Sequence, residues 1–386
     1  MLRVPETGQG ASITRRHPFT RRSTPPSAGS RRSPFAPTRS PAVRADDRRG
    51  SPSRGLDVVQ PGTMRTVPAP QTLRVIAEDA ARAVAPDLLA VFRAPMTIST
   101  KRDAHDVVTL HDRAAEEAIT AVLTAAVPGS VVLGEEGGTT GGPGSADTTG
   151  TTGSTDTTGS ADTTGGPGSA DTTGDAVVRW IVDPIDGTAN FARGLAYWCI
   201  SIAAEVDGVV VAGVVFDPVA DHVFAADDDG AWLDGAPMHS SSGPDDAATV
   251  LTSFPVQQDL DLLGEAVAFD LLRDLTVRYR HHHSLGSGAL NLVHVAAGWS
   301  DATMGFATHP WDVAAGALVL ERAGGWFRGF RGGEPVDRAH LADDYVAAGA
   351  GGSHAELVRR VQDLSAMNST DAAAAADRTA ADPTAG

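Results

Sequence analysis

At 386 residues the chain is long enough for two average domains or one large one. Its single cysteine, Cys199, excludes an intramolecular disulfide and a Cys-rich zinc site, and no stretch approaches 18 consecutive apolar residues, which argues against a membrane span. The formal charge of -17 conceals a split: residues 1–66 hold thirteen Arg against Glu6, Asp46, Asp47 and Asp57, a balance of +9 that leaves -26 for the rest and makes nucleic acid a poor main partner.

Residues 1–66 are rich in Arg, Ser and Pro and show neither a helical nor a strand period, so they read as a disordered extension. The segment reads as dispensable, with Met64 just ahead of the first helical pattern. A lone thiol in an apolar run, and no apolar stretch behind the first arginines, point to a reducing cytoplasm. A catalytic domain is expected over 67–364 and a frayed tail over 365–386.

From Gln71 the pattern QTLRVIAEDAARAVAPDLLAVF sets Leu73, Val75, Ile76, Ala80 and Val84 on one side of a 3.6-residue period, which predicts an amphipathic helix. A second helix is expected to start near Thr109 or Asp112, to turn Ala115, Ile119, Val122 and Leu123 inward, and to end at Pro128 and Gly129. SVVLGEEGG then reads as a short strand that ends in two carboxylates, Glu135 and Glu136. Residues 139–174 follow, a Gly/Thr/Ser/Asp tract in which GGPGSADTTG occurs twice; it cannot bury a core and reads as an expanded surface loop.

Beyond the tract, AVVRWIVDPIDG, YWCISIAAEV, VVVAGVVFDPV and DHVFAAD read as strands, the last three as an antiparallel series joined by Asp-Gly and Asp-Pro turns. ATVLTSFP predicts a strand, DLLGEAVAFDLLRDL one helix, GSGALNLVHVAAGW a helix, DATMGF a strand and WDVAAGALVLERAGG a helix. Strands and helices in this order imply a layered α/β or α+β domain.

The chemistry concentrates in D-P-I-D-G-T. Asp183, the Ile185 carbonyl and Asp186 sit where a strand runs out, so their oxygens can converge on a hard cation, and Gly187 allows close backbone approach just before a helix at Thr188. A lone D-x-x-D is more often an Asp-rich turn. Here Glu135 and Glu136, Asp106 and Asp112, and Asp312 after Trp311 supply further acidic sites in separate segments, as a phosphoryl-transfer centre with two or three metals needs. Three consecutive histidines, His281, His282 and His283, cannot all reach one ion if extended, because alternate side chains point to opposite faces. They read as a polar loop.

DVVTLHD, LGEEGG, WIVDPIDGTANF and HPWDVAAGALVLERAGG resemble the inositol monophosphatase family of magnesium-dependent, lithium-sensitive phosphatases, over about residues 71–362. The resemblance implies an αβαβα sandwich of the inositol monophosphatase and fructose-1,6-bisphosphatase type, two or three Mg²⁺ ions, inhibition by Li⁺ and a homodimer, as members commonly form. It makes Glu135, Asp183, the Ile185 carbonyl, Asp186 and Asp312 the metal ligands. Thr188 and Asp112, with Glu135, would activate water for attack on phosphorus, and the Gly187 and Thr188 amides would hold the phosphate. Gly286, Ser287, Gly288 and Asp312 would face the substrate, and Lys101 could add positive charge near the cleft.

The implied reaction is hydrolysis of a small phosphate monoester by metal-activated water, with inositol 1-phosphate or a related polyol or sugar phosphate as the first expectation. Histidinol phosphate and fructose 1,6-bisphosphate are alternatives within the fold, and a catalytically silent binding protein is the non-enzymatic one. Gly305 stands where inositol-specific members place a glutamate against a sugar hydroxyl, with Phe306 and His309 beside it, so the substrate is left open.

Overall fold

The computed structural model of the chain describes residues 67–94, 99–100, 107–108, 110–141 and 177–367. The expected disordered extension 1–66, Lys101, Asp106, Thr109, the repeat tract 139–174 beyond Gly141 and the tail beyond 367 lie outside the described residues, and the tract's first three residues, read as loop, belong to a strand over Gly138–Gly141 that pairs with Val131–Gly134.

Alternation is what builds the first sheet. Along β5 (Val178–Asp186), β6 (Cys199–Val206) and β7 (Val209–Asp217), successive side chains go to opposite faces, and both faces are apolar. Trp180, Val182, Ile200, Ile202 and Val214 enter one core layer, whereas Ile181, Cys199, Ala203 and Val215 enter another. A strand buried on both sides needs a cover on each, and helices supply it.

The sheet has eight strands in the order β10-β9-β8-β7-β6-β5-β3-β4, where β3 is Val131–Gly134, β4 Gly138–Gly141, β8 His222–Asp227, β9 Gly230–Leu233 and β10 Ala236–Pro237. β5 to β10 form an antiparallel meander, and β3 runs parallel to β5. On the outer face lie α1 (Pro70–Val91) and α2 (Leu110–Ala126), with Leu73, Ala77, Ala80, Val84, Ile119 and Leu123 buried. Val75, expected to face inward, is 47% exposed. The buried stripe steps 73, 77, 80, 84, 88, and position 75 falls on its far side. A two-residue ladder, β1 (Ser99–Thr100) with β2 (Val107–Val108), lies between these helices in sequence.

The second sheet has six strands in the order β12-β11-β13-β16-β14-β15, with β11 at Thr249–Thr252, β12 at His281–Ser284, β13 at Ala302–Gly305, β14 at Trp326–Arg331, β15 at Glu334–Pro335 and β16 at Asp344–Ala348. Between the sheets run α6 (Gly288–Ala296) and α7 (Pro310–Arg322), most of whose residues are apolar and buried. Beyond the second sheet, α5 (Glu265–Arg278) and a helix over 355–367 close a third core layer through Leu271, Leu275, Leu357 and Val361. The layers therefore read αβαβα, as expected.

Three differences have physical reasons. The expected single helix over DLLGEAVAFDLLRDL is two, α4 (Gln257–Leu263) and α5, because Gly264 takes φ 81°, outside the helical region. His281–Ser284 is an edge strand rather than a loop: His281 and His283 stack at 6.1 Å on one side, and His282 turns to the other, 2.9 Å from Thr252 Oγ1. The chain also stays helical to 367, past the expected end of the domain at 364, because Leu364 and Ser365 are buried. Among the described residues no helix is long and apolar enough to cross a membrane.

Candidate active site

The site begins with a defect in a strand. β5 pairs with β6 through Asp183↔Ser201 and next through Asp186↔Cys199, three steps against two, so β5 carries one extra residue. In a regular strand residues three apart point to opposite faces. The extra residue brings Asp183 and Asp186 to the same face, and Pro184, which has no N–H to lose from the ladder, occupies the bulge. Asp183 Oδ1 accepts the Ile185 N–H at 2.9 Å, which fixes the carboxylate across the turn.

Each neighbouring acid arrives on a different element. β3 ends beside β5, with Gly134 opposite Val182 and the Glu135 N–H on the Val182 carbonyl at 3.3 Å, so Glu135 follows directly and lies within hydrogen-bonding reach of Asp183. Asp312 is in the first turn of α7, held by the His309 N–H on its Oδ2 at 2.7 Å. Asp186 sits against the N-terminus of α6, where Gly288 N–H (3.2 Å), Ala289 N–H (2.7 Å) and the Ser287 hydroxyl (2.5 Å) all donate to it. Ligand atoms of Asp183, Asp186 and Asp312 lie within 4.8 Å of one another.

Such crowding is electrostatically costly. Burial pushes the Asp183 carboxyl well above its ordinary value, and the charges of Glu135, Asp186 and Asp312 push it further. Asp186 is also raised by burial, even though its hydrogen bonds oppose the shift. Cys199, completely buried, points its thiol at Asp186 Oδ2 from 3.6 Å and is held protonated by burial and by the two aspartates. An all-oxygen set with excess negative charge suits a hard divalent cation, which would remove the repulsion. The residues present fit Mg²⁺.

Thr188 opens α3 (Thr188–Arg193), behind Gly187 at φ 96°. A side chain at Gly187 would press on the Tyr197 carbonyl at 3.0 Å and the Gly286 carbonyl at 3.3 Å, so both the turn and the close approach call for glycine. The Thr188 hydroxyl lies 2.9 Å from Asp112 Oδ1 and 3.0 Å from the Ile185 carbonyl, and Asp112 is fully buried. Phe191 anchors the short helix from beneath, against Trp198 at 4.9 Å and Phe92 at 5.8 Å. Asn190 ties it to the substrate-side turn by donating to the Tyr197 and Leu285 carbonyls, both at 2.8 Å.

A cavity of about 210 Å³ opens beside Asp186 and Asp312, lined by Gly286, Gly288, Gly305 and Phe306 among others. Ser287, expected to face the substrate, is 1% exposed and turned onto Asp186, while its neighbours Gly286 and Gly288 reach the cavity. As the N-cap of α6 its hydroxyl also accepts the Leu290 N–H, which leaves it no freedom to face outward. His309 stacks on Trp311 at 4.8 Å. At Gly305 a Cβ would come within 2.7 Å of Tyr345 Cε1 and 3.0 Å of Thr308 Cγ2. Tyr345 is 2% exposed and stacked on Phe327 at 4.9 Å, so it has nowhere to go. Gly305→Glu is expected to lower stability by about 1–3 kcal/mol through overpacking, read as a lower denaturant midpoint, without creating a usable acid at that wall.

Sequence reasoning missed Glu116. It lies one turn after Asp112, inside the apolar stripe of α2, and its carboxylate accepts the Glu136 and Gly137 N–H groups at 2.8 and 2.7 Å. A carboxylate on a buried helical face was the available signal. It clamps the turn that presents Glu135, and Gly134 makes room, since a Cβ there would sit 2.3 Å from the Glu116 carboxyl carbon. Glu116→Gln removes one of two charge-assisted acceptors, about 1–3 kcal/mol. It is expected to raise the Mg²⁺ concentration needed for half-maximal activity, as a magnesium titration of turnover would read.

The family described as inositol monophosphatase matches the chain over residues 69–366. Nus factor SuhB of Pasteurella multocida is 30% identical over 266 residues, which cover 68% of this chain and 85% of the relative. Inositol monophosphatase 3 of Solanum lycopersicum is 34% identical over 180 residues, 44% of this chain and 66% of the relative. Among solved structures, the extragenic suppressor protein SuhB from Bartonella henselae aligns with a TM-score of 0.60 at 26% identity, covering 74% of this chain and 97% of its own. The inositol monophosphatase from Anabaena aligns at 0.57 and 26%, covering 76% and 96%. The bulged D-P-I-D strand, the acids it gathers and the match across nearly all the described residues agree: the chain belongs to the inositol monophosphatase family, and it is a phosphomonoesterase.

Proposed function

We propose that the chain hydrolyses small phosphate monoesters with Mg²⁺ held by Glu135, Asp183, the Ile185 carbonyl, Asp186 and Asp312. The observation that carries this reading is the convergence of three carboxylates within 4.8 Å, next to a Thr188–Asp112 pair and a cavity. Divalent cations there would neutralise phosphoryl oxygens and lower the pKa of water.

The residues divide the remaining work. The first-turn N–H groups at Gly187 and Thr188 have no helical carbonyl to bond and can take phosphate oxygens. The Thr188 hydroxyl lies on the Asp112 carboxylate, so as its oxygen takes a proton from the attacking water its own proton can pass to Asp112. Glu135 is the second acceptor within reach. Asp112, fully buried, holds the Thr188 rotamer.

Inositol 1-phosphate and related polyol phosphates are the reference substrates. The test is phosphate release from inositol 1-phosphate, histidinol phosphate and fructose 1,6-bisphosphate with Mg²⁺, with EDTA, and with added Li⁺, which is expected to inhibit. Release that persists undiminished in EDTA would sink the metal-dependent reading.

A second reading takes its warrant from the relatives named Nus factor SuhB: a binding role in which hydrolysis is idle. An Asp183→Asn variant that performs in cells as well as the parent would favour it.

A further inference from the structure

Three histidines in a row, His281, His282 and His283, take no part in the hydrolytic reading. They lie on β12, the outermost strand of the second sheet, which among the described residues pairs with β11 alone. The parallel register, Thr249↔His281 and Leu251↔His283, fixes both backbone positions. On an extended strand, residues two apart share a face and stand about 6.6 Å apart. His281 and His283 accordingly stand side by side: both are exposed, and their rings stack with centroids 6.1 Å apart and planes at 18°. His282 goes to the opposite face, where its ring lies 2.9 Å from Thr252 Oγ1.

Two imidazoles on one face of one strand offer two nitrogen donors to a single ion. An ion bound at about 2.0–2.1 Å by each of two nitrogens holds them no more than about 4.2 Å apart. From rings 6.1 Å apart, that takes a turn about the last side-chain torsion, which is soft for histidine, and no movement of the backbone. The ladder has already fixed both residues, so binding orders little else. Donor chemistry separates this pair from the carboxylate cluster. Mg²⁺ takes oxygen ligands, whereas imidazole suits Zn²⁺, Ni²⁺ and Cu²⁺. With two protein ligands the other positions fall to water, which makes the site weaker than a closed structural zinc site.

We propose that His281 and His283 form a second metal site, a two-histidine chelate for a first-row cation of the Zn²⁺, Ni²⁺ and Cu²⁺ group, separate from the Mg²⁺ centre. His282 is not a ligand. The site does not rest on the phosphatase reading, because its donors and its strand stand apart from the D-P-I-D bulge.

The test is calorimetric titration of the full chain with Ni²⁺ in saturating Mg²⁺, for the parent and for His281→Thr, His282→Thr, His283→Thr and Asp183→Asn. Threonine suits an edge strand, and the two ligand positions are exposed, so the fold is not at stake. His281→Thr and His283→Thr are each expected to weaken one Ni²⁺ equivalent by at least about tenfold, since even a residue that only hydrogen-bonds a ligand is worth about 10–100-fold in affinity. The same equivalent is expected to survive in His282→Thr, which tests the face, and in Asp183→Asn, which tests the separation from the carboxylate cluster. Ni²⁺ binding unchanged in both ligand variants, or absent from the parent, overturns the proposal. Weakening by His282→Thr equal to that of its neighbours overturns the pairing across one face. Loss of all Ni²⁺ binding in Asp183→Asn places the ion at the cluster instead and ends the second site.

Discussion

Replacing Asp183 by Asn is expected to cut kcat roughly a thousandfold, because several kcal/mol of charge stabilisation are at stake and about 1.4 kcal/mol is tenfold. Asn keeps the shape and an acceptor for the Ile185 N–H, so the fold is not what is lost. Thermal stability tests the cause separately. The Asp183 carboxyl is raised in the folded, metal-free chain by burial and by Glu135, Asp186 and Asp312. A raised group contributes stability that is present below its unfolded value, 3.8, and is lost as pH rises through the folded value. The metal-free parent should therefore lose stability over that window as pH rises, and the variant less. In EDTA at neutral pH the variant is expected to melt above the parent. Saturating Mg²⁺ should invert the order, since ligand at 100 times its Kd adds about 2.7 kcal/mol to the form that binds it. A variant that melts below the parent in EDTA would show that the repulsion inferred for this cluster is wrong.

Much of this site was legible because the residues that make it also make the local structure. In D-P-I-D-G-T, the proline excludes a regular ladder and the glycine starts a turn, so the segment that gathers carboxylates is also the one that must bulge. Asp312 could be read from its place in the first turn of a helix full of small residues. What stayed hidden depends on neighbours distant in sequence. Ser287 reads as a substrate contact, yet the Asp186 carboxylate, 101 positions away, draws its hydroxyl inward. Glu116 looks like one more surface glutamate until the turn after β3 is laid against it. The closing strands β14 to β16 have no clear signal of their own, since the second sheet supplies the burial that makes WFRGFR and DYVAA extended.

Thr188→Val is expected to lower kcat by about 10²–10⁴-fold, the range for losing a positioned proton acceptor. Valine nearly matches threonine in volume and branching, so Phe191 and Trp198 should still seat α3, and the backbone N–H groups of its first turn are unchanged. The hydroxyl's one proton, within reach of Asp112 at 2.9 Å and of the Ile185 carbonyl at 3.0 Å, disappears with it. Asp112, fully buried, then loses a donor, and part of any stability loss belongs to that. The partition between KM and kcat separates the roles. If Thr188 serves the water and its amide serves the phosphate, kcat falls while KM and the magnesium requirement stay near those of the parent. Thr188→Ser, which restores the hydroxyl, should recover most of the rate. A variant whose KM rises with kcat intact would instead make the hydroxyl a ground-state contact of the phosphate, and the proton would then have to pass to Glu135.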